Sequence, residues 1–290
     1  MYKEVAFDPS CMGSLEYYGL VRQHFGYDHG RYISADVKVW AKEAMQYVKQ
    51  SALQPVKQKS IKNYLNKLVT SKRHDEFHLA DDRKGVAEDL WVNWCNTQVG
   101  IRPFSFSVSE SKEIDCISID DINDGVDVWV TSRTISVERN ANDIIDALLS
   151  LIEISNTITI VDQYFRLTKN STLAELVSRC SDLGIENITV VTSMETPSAT
   201  QIYNREYKKF NSSGMSFSWL KAPDKFFHDR YFITNVGAIR SGQGFMPDVK
   251  KGTHADMANL NIIGSGEVDR TLADLDFLRE SGQLSEVLKV

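Results

Sequence analysis

The chain has 290 residues, of which 42% are hydrophobic and 25% are charged, and its formal net charge is −6. This is the composition of a globular protein of about two domains, and the acidic balance excludes a uniformly basic coat but not a local basic groove. The four cysteines form no CxxC pair, so zinc-site spacing is absent and a reduced chain is favoured over a disulfide framework. The first residues do not read as a signal peptide, and no apolar run approaches the roughly 20 residues that span a bilayer, so we expect a soluble, cytoplasmic protein without a membrane partner.

Residues 1–103 are predicted to form a mainly helical N-terminal domain. Its opening contains a compact loop with His24, His29 and Arg31, which either lines a site or packs its own aromatic side chains. Apolar residues then recur at steps of three and four residues, which predicts a helix from Val37 to Gln50. Another buried helix is indicated further on by Val86, Leu90, Trp91 and Trp94.

The segment from Gln54 to Arg73 combines an apolar face with a run of basic residues and contains no acid. A basic amphipathic helix in an acidic protein is a candidate for contacts with a phosphate backbone. The simpler alternative is a solvated helix face. On the first interpretation, the residues expected to bind nucleic acid are Lys57, Lys59, Lys62 and Lys67.

Residues 104–290 are predicted to form an α/β domain. Three short stretches with period-two alternation, at 104–108, 117–119 and 126–130, are predicted strands. From Arg139 onward, near-continuous apolar strands alternate with helices, which indicates a sheet covered by helices on both faces. Functional groups in such sheets collect at strand ends. The strands are expected at 157–161, 188–192, 216–220, 230–234 and 258–263, and the last helix at 268–280.

His228 and Arg230 stand two residues apart at the start of the strand predicted at 230–234. Residues two apart in an extended strand project to the same face, so both side chains would face one shared space. A turn rich in small residues follows from Ser241 to Gly244, and its backbone N–H groups could approach phosphate oxygens. A nucleophile, a fixed cation and such a loop suit attack on a phosphate, while the alternative is an ordinary strand with a surface histidine.

This stretch resembles the signature of the phospholipase D superfamily, in which His, any residue, Lys, four residues, Asp, six residues and Gly follow in order. The corresponding positions are His228, Arg230, Asn235 and Gly242. Arginine keeps the charge of lysine and adds a planar fork that suits phosphate oxygens, whereas asparagine removes a charge. Gln243 and Phe245 are further departures, at positions where the family usually has Gly or Ser and Asn, respectively.

The resemblance implies a phospholipase D-like mixed sheet flanked by helices, and a two-step cleavage of phosphodiesters that needs neither metal nor cofactor. His228 would attack phosphorus and form a phosphohistidine, with Arg230 stabilising the oxygens. Asp256 is the matching acid that would orient the histidine. The remaining implied site residues are Asn235 as a catalytic position, Ser241, Gly242 and Gly244 at the phosphate, and Asp162 and Tyr164 lining the cleft.

The chain contains one copy of the signature, and family members of this kind pair two chains around one site. The resemblance therefore implies a homodimer through the phospholipase D-like domain, while His254 is the alternative source of a second imidazole within one chain. The favoured function is a metal-independent nuclease that cuts DNA or RNA, acting as an effector in bacterial anti-phage defence with other subunits of a defence complex. The alternatives are a phospholipid-cleaving enzyme, and a degenerate module that binds nucleic acid or a partner protein without catalysis.

Overall fold

The computed structural model describes residues 1–71, 74–88, 90–111, 115–224, 226–247 and 257–290. Contacts divide the chain into two compact units, Tyr2–Thr131 and Ser132–Val290, with Met1 grouped with the second. The boundary that the sequence predicted, between residues 103 and 104, falls inside the first unit. The reason is that a strand at 106–108 pairs with the strand that begins the chain, and such a distant pairing leaves no local sequence pattern.

The first unit contains five helices and a three-stranded parallel sheet in the order β2-β1-β3; the sequence predicted a mainly helical domain and did not predict this sheet. The predicted helix Val37–Gln50 is confirmed, and it buries Trp40, Ala41, Ala44 and Val48. The strands of the unit are β1 (Lys3–Phe7), β2 (Arg31–Ile33) and β3 (Phe106–Val108), and its helices are α1 (Leu15–His24), α2 (Val37–Gln50), α3 (Pro55–Thr70), α4 (Trp91–Ile101) and α5 (Ile119–Asn123).

Two of the short strands predicted before residue 131 are wrong. Residues 119–123 form α5, because the side chain of Ser118 and that of Asp121 cap the start of the helix reciprocally. Asp127–Trp129 forms a single 3₁₀ turn instead of a strand. Of the stretch predicted at 117–119, only Ile117 pairs with β3, through an isolated bridge, and the 3₁₀ turn buries none of its residues.

The second unit is an α/β domain built on an eight-stranded mixed sheet flanked by helices, in the order β11-β7-β6-β5-β8-β9-β10-β4. The strands β5, β6 and β7 run parallel to one another, and the other pairings are antiparallel. The strands are β4 (Thr134–Glu138), β5 (Thr157–Val161), β6 (Asn187–Thr192), β7 (Ser216–Lys221), β8 (Arg230–Thr234), β9 (Ala238–Ser241), β10 (Met257–Ile262) and β11 (Ser285–Lys289), and the helices are α6 (Ala141–Ile152), α7 (Ser171–Asp182), α8 (Ala199–Glu206) and α9 (Ser265–Glu280).

The strand β5 joins the parallel half of this sheet to the antiparallel half. All of its five residues are β-branched, a composition typical of strands because such side chains pack well on a pleated surface. It pairs with β6 in parallel and with β8 in antiparallel register, Val161 lying opposite Tyr231. The carboxyl end of β5 and the amino end of β8 therefore meet at one edge of the sheet. Across the described residues, no helix is both long enough and apolar enough to cross a membrane.

Candidate active site

One edge of the eight-stranded sheet collects residues from four strands. β8 begins at Arg230, which lies opposite Ser241 at the end of β9. β5 ends just before Asp162, and β4 ends just before Arg139. The end of β4 lies at this same edge because β4 is antiparallel to β10. Residues that are as much as 100 positions apart in sequence therefore meet at this edge, as expected for strand ends in α/β sheets.

The guanidinium group of Arg230 is fixed by backbone and aromatic contacts. Its Nη1 donates a hydrogen bond to the carbonyl of Gly242 at 2.7 Å and a longer one to the carbonyl of His228 at 3.4 Å. Its Cζ lies 5.3 Å from the ring centroid of Tyr164, whose side chain is exposed. Within the described part of the chain, Nε of Arg230 is buried without a hydrogen-bond partner, and no carboxylate forms a salt bridge with this guanidinium. Among these described residues the cation is thus held in place without a salt bridge, while the buried carboxylate of Asp162 is close enough to interact with its charge.

The carboxylate of Asp162 ties the end of β5 to the neighbouring loop, and the side chain is only 2% exposed. Its Oδ1 accepts the N–H of Tyr164 at 3.0 Å, and its Oδ2 accepts the N–H of Phe245 at 3.2 Å. Burial raises the pKa of this carboxyl above its ordinary value of 3.8. The two N–H groups and the charges of Arg230 and Arg139 act in the opposite direction without cancelling that effect.

Residues 241–247, which we call the glycine loop, are held from three sides. Ser241 is fully buried, and its hydroxyl donates to the carbonyl of Gly244 at 3.1 Å. Gly244 packs against Asp162 with a positive φ of 82°. Nη2 of Arg139 donates to the carbonyls of Gln243 and Met246 at 3.1 and 3.3 Å. The glycine loop is therefore fixed in its conformation by contacts with the surrounding residues.

Arg139 is the site residue that the sequence reasoning missed. In the sequence, Arg139 marks only the position where the α/β pattern begins, and it belongs to no motif. Its place directly after β4 is the one signal that could have identified it, because β4 ends at the same edge as β5 and β9. That signal requires the strand order, which the sequence did not provide.

His228 lies in the bend before β8, and its side chain is exposed. Its backbone carbonyl is the acceptor that Arg230 contacts, so the two residues are adjacent at the mouth of the site. Among the described residues, no hydrogen bond, ion pair or ring contact to the imidazole is present. The predicted orienting acid Asp256 and the alternative imidazole His254 lie outside the described residues.

Asn235 lies at the opposite end of β8 from Arg230, so the structure does not bring this predicted catalytic position into the site. Its Oδ1 accepts the backbone N–H groups of Asn156 and Thr157 at 3.0 and 3.3 Å, where β5 begins. A carboxylate could accept the same two hydrogen bonds. Asn235 therefore ties the end of β8 to the start of β5, and its assignment to catalysis is corrected.

Phe245, the other departure, turns its ring away from solvent. It is 1% exposed, and its ring centroid lies 6.0 Å from that of Phe232 in the core. Its backbone N–H, in contrast, donates to Asp162. The large side chain therefore does not occupy the mouth of the site.

The predicted nucleic-acid-binding lysines lie on α3 in the first unit. Lys57, Lys59 and Lys67 are exposed, whereas Lys62 is half-buried and donates to Oε1 of Gln58 at 2.9 Å. The opposite face of the helix is buried through Ile61, Tyr64, Leu65 and Leu68. Lys72 and Arg73, which end the basic segment, lie outside the described residues.

The histidine-containing loop near the start of the chain mainly packs its side chains. Arg31 is buried, and its Cζ lies 3.6 Å from the ring centroid of Trp129. His24 and His29 remain exposed, with ring centroids 6.5 Å apart. Among the described residues, no group of three or more His, Cys, Asp or Glu side chains could hold a metal ion.

No family model and no curated protein matches this chain. Among solved structures, it is similar to the crystal structure of a phospholipase D family member, Nuc from Salmonella typhimurium. The two chains are 14% identical with a TM-score of 0.33, and the match covers 53% of this chain and 96% of that chain.

Proposed function

We propose that this chain is a phospholipase D-like phosphodiesterase that cleaves the backbone of DNA or RNA through a phosphohistidine at His228. The observation that carries the proposal is the position of His228, an exposed histidine whose backbone carbonyl accepts a hydrogen bond from Arg230, while the same guanidinium is fixed by the carbonyl of Gly242 and forms no salt bridge among the described residues. A nucleophile near an immobilised cation that forms no salt bridge suits a substrate that brings its own negative charge.

In the proposed first step, the imidazole of His228 attacks phosphorus, and the bond from phosphorus to the leaving oxygen breaks. Arg230 and N–H groups of the glycine loop stabilise the negative charge on the remaining phosphoryl oxygens. The leaving oxygen takes a proton from a second imidazole. In the second step, water attacks phosphorus, gives its proton back to that imidazole, and releases His228. Fixed cations supply the charge stabilisation, so the scheme needs no metal or cofactor.

The second imidazole is proposed to come from a second copy of the chain across a two-fold axis, which makes the active form a homodimer. His254 of the same chain is the alternative. A mixed dimer of the native chain and the His228→Ala variant separates the two. Full activity per native chain in that mixed dimer would rule out a shared site, whereas near-complete loss would support it.

Nucleic acid is proposed as the substrate because α3 presents exposed lysines with no acid on the helix.

A role as an effector in bacterial anti-phage defence, in the cytoplasm and with other subunits of a defence complex, remains a prediction from the sequence resemblance. The degenerate-module alternative is weakened, because Asn235 and Phe245 both have structural roles that leave the mouth of the site intact.

The test incubates the purified chain with labelled DNA, labelled RNA and phospholipid vesicles, all in EDTA. We expect cleavage of a nucleic acid that falls by at least about a thousandfold in His228→Ala and Arg230→Ala, since each removes a group used in the transition state. His29→Ala, which removes an exposed histidine from the other unit, is the matched control. An alkali-stable, acid-labile phosphoryl adduct that disappears in His228→Ala would support the intermediate.

Each other outcome of this assay selects an alternative. Cleavage of vesicles alone would make the chain a phospholipid-cleaving enzyme. Binding of nucleic acid without cleavage, unaffected by His228→Ala, would make it a non-catalytic module. Cleavage that persists at the native rate in His228→Ala would place the chemistry elsewhere.

A further inference from the structure

The first unit contains a cavity of about 600 Å³ that the proposed cleavage does not use. It lies between α2, the residues after Leu79, and the first turn of α4. Its walls are largely apolar and include the side chains of Trp40, Trp91 and Trp94. Cavities of this size, with aromatic walls and a few polar groups, are the usual form of small-molecule sites.

Three carboxylates line the same cavity, those of Asp36, Glu43 and Glu88. Within the described part of the chain, none of them forms a salt bridge with a lysine or an arginine. Asp36 caps α2 by accepting the N–H groups of Lys38 and Val39, which leaves its negative charge in place. The polar part of the cavity therefore carries uncompensated negative charge.

The two basic residues that line the cavity are already paired. Nε and Nη2 of Arg83, which is fully buried, donate to the two carboxylate oxygens of Glu4 at 2.6 and 2.8 Å. The ammonium group of Lys84 forms an ion pair with Asp81. Neither cation is free to neutralise the three carboxylates, so a bound ligand would meet a negative site.

Glu43 is the carboxylate held most firmly at this position. It is half-buried and accepts the backbone N–H of Trp91 where α4 begins. Burial raises the pKa of Glu43, with the Trp91 N–H acting in the opposite direction. In addition, Nε1 of Trp91 is buried without an acceptor among the described residues, whereas Nε1 of Trp40 donates to the carbonyl of Phe7 at 2.6 Å. The cavity is therefore lined by a carboxylate that forms no salt bridge among the described residues.

We propose that this cavity binds a small organic cation, an ammonium or guanidinium group carried on an apolar stem. Indole faces attract cations, and carboxylates without counter-ions select positive charge. An anionic ligand would be repelled by the three carboxylates. A neutral apolar ligand would fill the walls but leave those carboxylates desolvated and unpaired, which is unfavourable. The proposal is independent of the cleavage reaction.

Choline and its uncharged isostere 3,3-dimethyl-1-butanol provide a matched pair of probes, since they differ mainly in the charge. The full chain is titrated with each while tryptophan fluorescence is followed, with agmatine as the guanidinium probe. We expect a saturable change with choline or agmatine, and an affinity for the isostere that is at least about tenfold weaker, as a partly desolvated cation–π contact predicts. No nucleic acid is present, so failure here is distinct from failure of the nuclease assay.

Glu43→Gln removes the charge but keeps an oxygen that accepts the Trp91 N–H. We expect it to weaken the binding of choline or agmatine about fivefold or more. Glu16→Gln, which removes an exposed carboxylate from α1 outside the cavity, should change the affinity less than about twofold. Glu88→Gln provides a second variant, because its amide oxygen can still accept the hydroxyl of Thr97.

Three results would overturn the proposal. The first is equal affinity for choline and its uncharged isostere. The second is the absence of any saturable change in tryptophan fluorescence with either cationic probe up to about 10 mM. Titration to that concentration would detect even very weak binding. The third is unchanged affinity in both Glu43→Gln and Glu88→Gln, with native circular dichroism.

Discussion

Gly244 lies directly against the carboxylate of Asp162, since a Cβ built on residue 244 would stand 2.5 Å from Oδ2. The same residue has a φ of 82°, in the left-handed region that costs an alanine roughly 1–2 kcal/mol. Two independent constraints therefore require glycine here. They also show how closely the glycine loop and the end of β5 are fitted to each other.

We predict that Gly244→Ala lowers the free energy of unfolding by about 2–4 kcal/mol, the sum of backbone strain and displacement of a buried carboxylate. Gly242→Ala is the matched control, because a Cβ at residue 242 would meet no atom within 4 Å. Its effect should stay within about 0.5 kcal/mol. Urea unfolding of both variants is the measurement, and equal losses in the two would contradict the fitted contact.

The raised pKa of Asp162 predicts a pH dependence with a definite sign. A carboxyl whose pKa is higher in the folded chain contributes most below its unfolded pKa, and this contribution is lost as pH rises through the folded pKa. The difference in unfolding free energy between the native chain and Asp162→Asn should therefore shrink from about pH 4 towards pH 7.

Urea unfolding at stepped pH values measures that difference, with Asp274→Asn on α9 as a control for removing one exposed charge. A difference that grows with pH would mean that Arg230 and Arg139 outweigh the cost of burying the carboxylate. In that case the carboxylate would be best described as the counter-ion of the two arginines.

The anchoring contacts of Asn235 predict an effect on stability without an effect on chemistry. Asn235→Ala should cost about 1–2 kcal/mol, because the N–H groups of Asn156 and Thr157 lose their acceptor. Asn235→Asp should stay close to the native chain, since a carboxylate accepts the same bonds. The cleavage rate per folded molecule should change less than about twofold in both variants. The loss of a catalytic group would lower that rate far more than this. If a variant folds but no longer cleaves nucleic acid, Asn235 is a catalytic residue after all.

The lysines of α3, of which Lys62 is half-buried, predict a change in the salt dependence of nucleic-acid binding. Changing Lys59, Lys62 and Lys67 together to Gln should flatten the slope of log affinity against log salt, by up to about 0.9 per lost phosphate contact on duplex DNA. Three exposed lysines of α2 provide a matched control of equal charge, Lys38, Lys42 and Lys49. An equal change of the salt slope in both triple variants would mean that the lysines of α3 only form a solvated helix face.

Five strands of the second unit (β5, β6, β7, β8 and β10) were predictable because apolar residues recur through each of them, whereas β4 and β9 were not predicted. The strands expected at 157–161 and 230–234 are found with those bounds, and the neighbouring ones are shifted by a residue. The strand β11 was not predicted, because its sequence Ser-Glu-Val-Leu-Lys is largely exposed at the edge of the sheet. Edge strands bury little, so a search for buried apolar runs misses them.

The site was predictable where a residue stands at the end of a predicted strand, as Asp162, His228 and Arg230 do. The contribution of Arg139 was not, because it depends on β4 being placed beside β10 at the far side of the sheet. The same limit explains the domain boundary, which depends on pairing between β1 and β3. Local patterns identify elements, whereas the partners of those elements are decided by long-range packing.

The position of β1 between β2 and β3 has a consequence for the synthesis of the chain. Val5 pairs with Phe106, so β1 obtains this neighbour only after roughly 100 further residues have been added. At 5–20 residues per second, this interval is about 5–20 s. During that time β1, in which Val5, Ala6 and Phe7 are buried in the folded chain, has an open side, which is where chaperone binding to the nascent chain should concentrate.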